Sequence, residues 1–138
     1  MRATRREAIA LIGLLPAFPS RAAESGSAEF IARAFEMRRR AEAAGDQPYG
    51  AVVARNGAII GEAASAVIGR RDPDAHAERL AIADAQHRLG RSDLGGAVLY
   101  SSSRPCARCE TAAARAGIAR MVYGTVPTDA GRPEERTD

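Results

Sequence analysis

Two short stretches decide the fold: Asp74-Ala75-His76-Ala77-Glu78 and, further along the chain, Pro105-Cys106-Ala107-Arg108-Cys109. Taken alone, a Cys-x-x-Cys pair is also typical of a redox couple or a disulfide, and a lone His-x-Glu carries little information. Together, the imidazole of His76 and the thiols of Cys106 and Cys109 supply three ligands of the kinds that bind Zn²⁺. The sequence therefore predicts one zinc site assembled from two separate segments.

The spacing of these ligands is typical of a catalytic site. Catalytic zinc takes three protein ligands and keeps a fourth position for water, whose pKa falls to about 7. Hydrolysis at such a site also requires a group that transfers protons and is not itself a ligand. Glu78, two residues after His76, is predicted to be this proton shuttle.

The ligands are expected at the N-termini of two helices. Pro105 is predicted to be the first residue of one helix, which places Cys106 and Cys109 on one face of its first turn, where the helix dipole favours the thiolate. His76 and Glu78 lie about 200° apart around a helix, so both reach one site only beyond its N-terminal end. Two helix N-termini are therefore predicted to point at one metal.

The first half of the chain predicts a helix and a hairpin. A helix is expected over residues 27–44, with Ser27 as its N-cap and Gly45 at its end. Residues 47–54 lead into a strand, and Asn56-Gly57 is a strong hairpin turn into a second, antiparallel strand.

The second half predicts a strand, a helix and a further strand around the cysteines. A helix is expected over residues 75–89 with Asp74 as its N-cap, followed by a short strand over 97–100. The helix opened by Pro105 and a strand over 118–124 complete a parallel crossover. Residues 127–138, rich in Pro, Gly and charge, are predicted to form a flexible tail.

The N-terminus, residues 1–22, has the pattern of a signal peptide of the twin-arginine type. It contains Arg5-Arg6, an apolar run over 8–15 that is far shorter than the roughly 20 residues of a membrane span, and the small-x-small site Ser20-Arg21-Ala22. An irregular extension or an uncleaved helix is the alternative. This segment carries four Arg against Glu7, a net of +3 that equals the +3 of the whole chain, so the remainder is close to neutral. Because nucleic-acid binding needs clustered positive charge, a nearly neutral remainder argues against a nucleic-acid partner.

On these motifs the chain resembles the cytidine-deaminase-like superfamily, and within it the branch of guanine, nucleoside and tRNA adenosine deaminases. The resemblance covers roughly residues 29–124 and includes Pro48-Tyr49-Gly50-Ala51-Val52, the two metal-site stretches and the strand ending Val122-Tyr123-Gly124. It implies an α/β/α sandwich with a mixed central sheet, a Zn²⁺ cofactor, and a homodimer or larger oligomer. It also implies that residues 48–52 line the floor of the pocket. The residues that it places in contact with the substrate are Ser65, Pro105, and Ala77 and Cys106 through their backbone N–H groups.

Three departures from the branch are visible. Ser65 stands where the branch usually has a substrate-binding Asn, and Arg104 stands where it usually has Glu. The C-terminal strand and helices of relatives are expected to be missing, which would leave the fold C-terminally shortened. An open sheet edge of that kind favours an oligomer.

The sequence therefore predicts a zinc-dependent deaminase domain over residues 23–126 that acts on a small nucleobase or nucleoside-like amine. Export to the periplasm is expected, or a cytoplasmic location if the N-terminal segment is not a signal. Two alternatives stay open: a tRNA adenosine deaminase, against which the export signal and the neutral charge argue, and a catalytically idle zinc-binding interaction module. Retention of Glu78 argues against the idle module, because a structural site has no use for that carboxylate.

Overall fold

The computed structural model describes residue 13 and residues 21–137 of the 138-residue chain. The predicted signal peptide lies outside the described residues except for residue 13 and the first two residues of the first helix. None of the described helices is long and apolar enough to span a membrane. In chain order the elements are α1 (Arg21–Ala43), β1 (Gly50–Arg55), β2 (Ala58–Ala64), α2 (Ala77–Leu89), β3 (Val98–Ser101), α3 (Ala107–Arg115), β4 (Arg120–Tyr123) and β5 (Thr128–Gly131).

The strands form one mixed sheet in the order β2-β1-β3-β4-β5. The predicted hairpin is confirmed: β1 and β2 are antiparallel, and Asn56 and Gly57 take φ of 52° and 77°, as a two-residue primed turn requires. The predicted parallel pair is also confirmed, since β3 and β4 run parallel and are joined through α3. β1 and β5 flank this parallel pair as antiparallel neighbours of β3 and β4, and β2 lies outside β1.

Helices cover both faces of this sheet, so the predicted α/β/α layering is confirmed. Successive residues of β1 alternate between the faces, as the pleat dictates. Val52 and Ala54 belong to a core with Ile31 and Ala34 of α1. The other face holds a larger core shared with α2 and α3, whose members include Ala51, Val53, Ala81, Ala85, Leu99, Ala113 and Met121.

Two glycines let the helices approach the sheet closely. A Cβ on Gly50 would collide with the backbone of α1 at Ala34 and Arg38, and a Cβ on Gly61 would collide with the backbone of α2 at Ala81. Both positions therefore need glycine for packing. Gly50 also fixes the start of β1 next to the end of β3, where the site residues lie.

All three predicted helix starts are wrong by two or more residues. α1 begins at Arg21, so Ser27 lies inside the helix and is not its N-cap. α2 begins at Ala77 because the carbonyl of Ala75 is already taken by the amide of Ala66, 3.0 Å away, in the preceding loop. α3 begins at Ala107 with Cys106 as its N-cap, so Pro105 precedes the helix.

Part of the predicted flexible tail, residues 127–138, forms a strand in the structure. Thr128–Gly131 forms β5, which pairs with β4, and Ala130 packs against the larger core. Beyond it, the guanidinium of Arg136 donates to the carboxylate of Glu110 on α3 at 2.9 Å. The expectation that the C-terminal strand is missing is therefore corrected, while no helix follows α3 among the described residues.

Candidate metal centre

The N-terminus of α2 places His76 and Glu78. His76 is the N-cap, with an extended backbone (φ −69°, ψ 147°), and its carbonyl accepts the first helical hydrogen bond, from Leu80 at 3.0 Å. Glu78 is the second residue of the helix and is 5% exposed. Because the cap residue lies outside the helical path, the two side chains reach one region although they are two residues apart.

The N-terminus of α3 places the two cysteines. Cys106 is the N-cap, and its sulfur accepts a hydrogen bond from the amide of Cys109 at 3.4 Å. Cys106 is exposed and Cys109 is buried. The Cys106 sulfur therefore lies at the N-terminal end of α3, and Cys109 follows it in the first turn.

These two helix starts bring the three predicted ligands together. His76 Nδ1 lies 3.6 Å from Cys106 Sγ and 3.4 Å from Cys109 Sγ, and the two sulfurs are 3.3 Å apart. A tetrahedral zinc with bonds of about 2.3 Å to sulfur and about 2.0 Å to nitrogen separates such atoms by about 3.5 to 3.8 Å. The group, the one cluster of this kind among the described residues, therefore fits Zn²⁺ with small adjustments. The predicted convergence of two helix N-termini is confirmed.

Without a cation, the surroundings of Cys109 favour the protonated thiol. Burial raises the pKa of its thiol strongly, and the neighbouring Glu78 carboxylate and the Cys106 sulfur raise it further. A buried thiol next to two further electron-rich groups keeps its proton unless a positive charge replaces that proton. Bound zinc provides this charge and converts the thiol into a thiolate ligand.

Ser101, which the sequence analysis did not single out, orients Glu78. Its fully buried hydroxyl, at the end of β3, donates to Glu78 Oε1 at 2.6 Å. The other oxygen, Oε2, lies 3.8 Å from Cys109 Sγ. One carboxylate oxygen is thus fixed, and the other faces the metal ligands. The sequence does contain a signal for Ser101. It is a polar residue that directly follows the apolar run of β3, the strand that leads to the cysteines.

A cavity of about 360 Å³ opens next to these ligands. It is lined by Gln47, Tyr49, His76, Glu78, Ser103, Arg104 and Cys106. The expectation that the segment 48–52 contributes to the pocket holds for Tyr49. Gln47, Ser103 and Arg104 are additions to the predicted substrate contacts, and all three come from loops that border β1 or β3.

Of the four predicted substrate contacts, Cys106 lines the cavity, whereas Ser65, Ala77 and Pro105 do not. All three are buried. Ser65 lies behind the cavity wall, since its amide donates to the carbonyl of Tyr49 at 3.0 Å and its hydroxyl oxygen is buried without a hydrogen-bond partner among the described residues. A substrate contact by these three residues stays a prediction.

Comparison with known proteins identifies relatives of the same kind. The family model of the cytidine and deoxycytidylate deaminase zinc-binding region matches residues 25–125. A tRNA-specific adenosine deaminase of Aquifex aeolicus is 35% identical over 73% of this chain and 67% of its own length. A guanine deaminase of Bacillus subtilis is 41% identical over 60% of this chain and 53% of its own. The chain thus spans about half to two thirds of the length of these relatives.

Solved structures agree with the sequence matches. The structure of guanine deaminase from Bacillus subtilis superposes with a TM-score of 0.67 at 37% identity, covering 70% of this chain and 62% of that one. A structure from a study of A-to-I editing by tRNA:A34 deaminases gives a TM-score of 0.68 at 34% identity and covers 70% of both chains. With its His/Cys/Cys cluster at two helix N-termini, the chain belongs to the cytidine and deoxycytidylate deaminase family.

Proposed function

We propose that this protein is a zinc-dependent hydrolase that deaminates a small nucleobase or nucleoside-like amine and releases ammonia. The observation that carries the proposal is the position of Glu78. This carboxylate is buried, lies against the three ligands without belonging to their cluster, and lines the cavity. A purely structural zinc site has no need of such a group, which argues against the idle interaction module.

The residues of the site divide the chemistry between them. His76, Cys106 and Cys109 would hold zinc, which when bound supplies a Lewis acid and a coordination position where water is acidified. Glu78 takes the proton of the water that adds to the carbon carrying the amine, and it returns protons to the ring nitrogen and to the leaving amine. Ser101 keeps the carboxylate in the orientation that both transfers require. The amine leaves as ammonia, and a carbonyl oxygen takes its place.

The cavity supports a small substrate. Its volume of about 360 Å³ lies at the low end of the roughly 300 to 1,000 Å³ that is usual for small-molecule sites. Tyr49 offers a ring face, and Gln47 and Ser103 offer donors and acceptors to a heterocycle. Relatives that act on guanine are consistent with a substrate of this size.

A tRNA adenosine deaminase is the second candidate. Relatives with that name match the chain. The comparisons therefore give no support to the expectation that nucleic acid is an unlikely partner. A separate surface depression of about 240 Å³ is bordered by four arginines. These are Arg79, Arg108, Arg115 and Arg136, and each of them already pairs with a carboxylate. Such paired charges contribute less to phosphate binding than free ones, so we favour the small substrate.

The experiment that tests the proposal compares the zinc-loaded protein with Glu78→Gln in an ammonia-release assay. The panel contains free bases, nucleosides, triazine-type amines and a tRNA anticodon stem-loop. Glutamine keeps the size of the side chain but cannot transfer a proton, so we expect activity to fall by about 10²- to 10⁴-fold or more. Zinc content should be unchanged, because Glu78 is not a ligand.

Each outcome of this assay has a distinct meaning. Equal activity of variant and parent refutes the role of Glu78, and loss of zinc in the variant shows that Glu78 is a ligand. Turnover of the stem-loop alone favours the tRNA candidate. A zinc-loaded parent that releases no ammonia from any member of the panel contradicts the enzymatic proposal.

We also propose that the protein assembles into a homodimer or a larger oligomer. β2 and β5 are the outer strands of the sheet, and unpaired strand edges are usually covered or paired. Val126, next to β5, is 80% exposed. Sedimentation or light scattering of the purified protein measures the state directly.

A further inference from the structure

We propose that Arg104 selects substrates that carry an anionic group, a carboxylate or a phosphate, next to the heterocycle whose amine is removed. This inference rests on the proposed deaminase function of the same site and adds a substrate class to it. Arg104 lines the cavity together with His76, Glu78 and Cys106, and it directly precedes the Pro105-Cys106 pair.

Depth within the cavity sets the direction of the substrate. Glu78 is 5% exposed and Arg104 is exposed, so of these two lining residues Glu78 lies deeper and Arg104 lies nearer to solvent. The end of the substrate that carries the amine must reach Glu78 and therefore enters the cavity first. The opposite end of the same small molecule then lies near the Arg104 guanidinium.

Arg104 is free to bind an anion. Among the described side chains, no carboxylate lies within ion-pair distance of its guanidinium. The neighbouring arginines differ: Arg108 is 3.0 Å from Asp74, and Arg136 is 2.9 Å from Glu110 on α3. An arginine in a cavity lining whose acidic neighbours are already paired keeps its full donor fork for a ligand.

The chemistry of that fork defines the ligand. A guanidinium presents parallel N–H donors that match the oxygens of a carboxylate or a phosphate, and such paired contacts are stronger than neutral hydrogen bonds. A carboxylate would be attached to the ring, whereas a phosphate would belong to a nucleoside monophosphate. A neutral base fills the inner part of the cavity and leaves Arg104 without a partner.

Binding measurements on Glu78→Gln test this without turnover. Isothermal titration calorimetry compares cytosine with 5-carboxycytosine, and cytidine with cytidine 5′-monophosphate, on the zinc-loaded variant. We expect the anionic member of at least one pair to bind roughly 10- to 100-fold more tightly than its neutral partner, as for a hydrogen bond between charged groups. The first pair reports on a ring carboxylate and the second on a phosphate.

The same titrations with a second substitution assign the effect. Adding Arg104→Gln should remove the preference, and Arg104→Glu should reverse it. The matched control is Arg39→Glu, an exposed arginine on α1 that makes the same change in net charge away from the cavity. It should leave the preference intact. Zinc content and melting temperature of each variant verify that the fold is kept.

A preference that survives Arg104→Gln overturns the proposal, because the anion is then held by the metal or elsewhere. Equal binding within both pairs, or no binding of either anionic probe, overturns it as well. The ammonia assay separates this result from the proposed function: turnover of neutral bases with no effect of Arg104→Gln leaves the deaminase standing and removes the selectivity. An Arg104-dependent preference without ammonia release supports the anion selectivity of the cavity and contradicts the deaminase function.

Discussion

At the scale of single residues, the proposed chemistry depends on how Glu78 is held. Its oxygen Oε1 accepts the hydroxyl proton of Ser101 at 2.6 Å, in a place that water does not reach. A carboxylate that moves protons between several positions must keep one orientation while its charge changes. Ser101 supplies this constraint without itself touching the cavity, so it is a positioning residue.

Replacing Ser101 by Ala is expected to lower kcat while zinc content stays the same. A hydrogen bond to a charged group contributes about 1.5 to 3 kcal/mol, so its loss at the transition state corresponds to roughly 10- to 100-fold. The effect should appear mainly in kcat and little in KM, because the cavity lining does not include Ser101. Steady-state kinetics on whichever substrate the panel identifies measures both.

Ser102→Ala is the matched control for that substitution. The Ser102 hydroxyl accepts the amide of Gly50 at 3.0 Å and makes no contact with Glu78. Its loss leaves a buried amide without a partner, so the melting temperature should fall while kcat changes little. If Ser101→Ala lowers the melting temperature as Ser102→Ala does but spares kcat, its hydroxyl serves the fold and not the chemistry.

The sequence identified the ligands but not Ser101, for a physical reason. His, Cys and Cys at catalytic spacing name a metal by their chemistry alone. Ser101, Ser102 and Ser103 are three consecutive serines at the end of β3 and in the loop after it. The first donates to Glu78, the second accepts from Gly50 and the third lines the cavity. These partners could be assigned only once the neighbours of β3 in the fold were known.

At the scale of secondary-structure elements, the metal centre joins the starts of α2 and α3. The two helices contribute one capping residue each, His76 and Cys106, and one residue of the first turn, Glu78 and Cys109. The helices pack against the same face of the sheet. A metal held by both therefore acts as a crosslink between segments that are far apart in the sequence.

Replacing Cys106 by Ser should remove the metal and lower the melting temperature, because a metal bound by the folded state alone adds its binding free energy to stability. Elemental analysis measures zinc, with one ion per chain expected for the parent. A chelator should lower the melting temperature of the parent and of Glu78→Gln, and leave that of Cys106→Ser unchanged. Full zinc content in the Cys106 variant would falsify the ligand assignment.

Helix boundaries were less predictable than helix identities, because distant contacts set them. Asp74 is a good N-cap by residue type, yet α2 starts later, since the Ala75 carbonyl bonds to Ala66 across the loop. β5 was missed because its composition is that of a tail. Its stability comes from the ladder with β4 and from the packing of Ala130, neither of which is a local property.

At the scale of the whole molecule, the three-layer arrangement was expected from the family resemblance, whereas the full strand order was not predicted. The hairpin and the parallel pair were predictable from a turn and from a crossover. The antiparallel contact between β1 and β3, which places Tyr49 opposite the loop of Ser103 and Arg104, joins strands separated by α2. It is this contact that forms the cavity.

The N-terminal segment raises the question of location, and we propose export by the twin-arginine route with cleavage near Ala22. Among the α1 residues whose side chains are described, 26–43, the members of the core begin at Phe30 and Ile31, beyond the proposed site. The twin-arginine system is understood to carry folded proteins. Zinc could therefore be bound before Cys106 and Cys109 meet an oxidising compartment, where an unmetallated pair would be exposed to disulfide formation.

The prediction is tested by fusing residues 1–30 to a reporter that matures only when it is exported in the folded state. Changing Arg5 and Arg6 together to Lys should abolish the periplasmic signal, although the net charge is unchanged, because this route requires the arginine pair itself. Changing Arg2 to Lys, which leaves the pair intact, should preserve the signal. A signal that survives the double substitution would show that another route carries the protein, and a parent fusion with no periplasmic signal would contradict the proposed export.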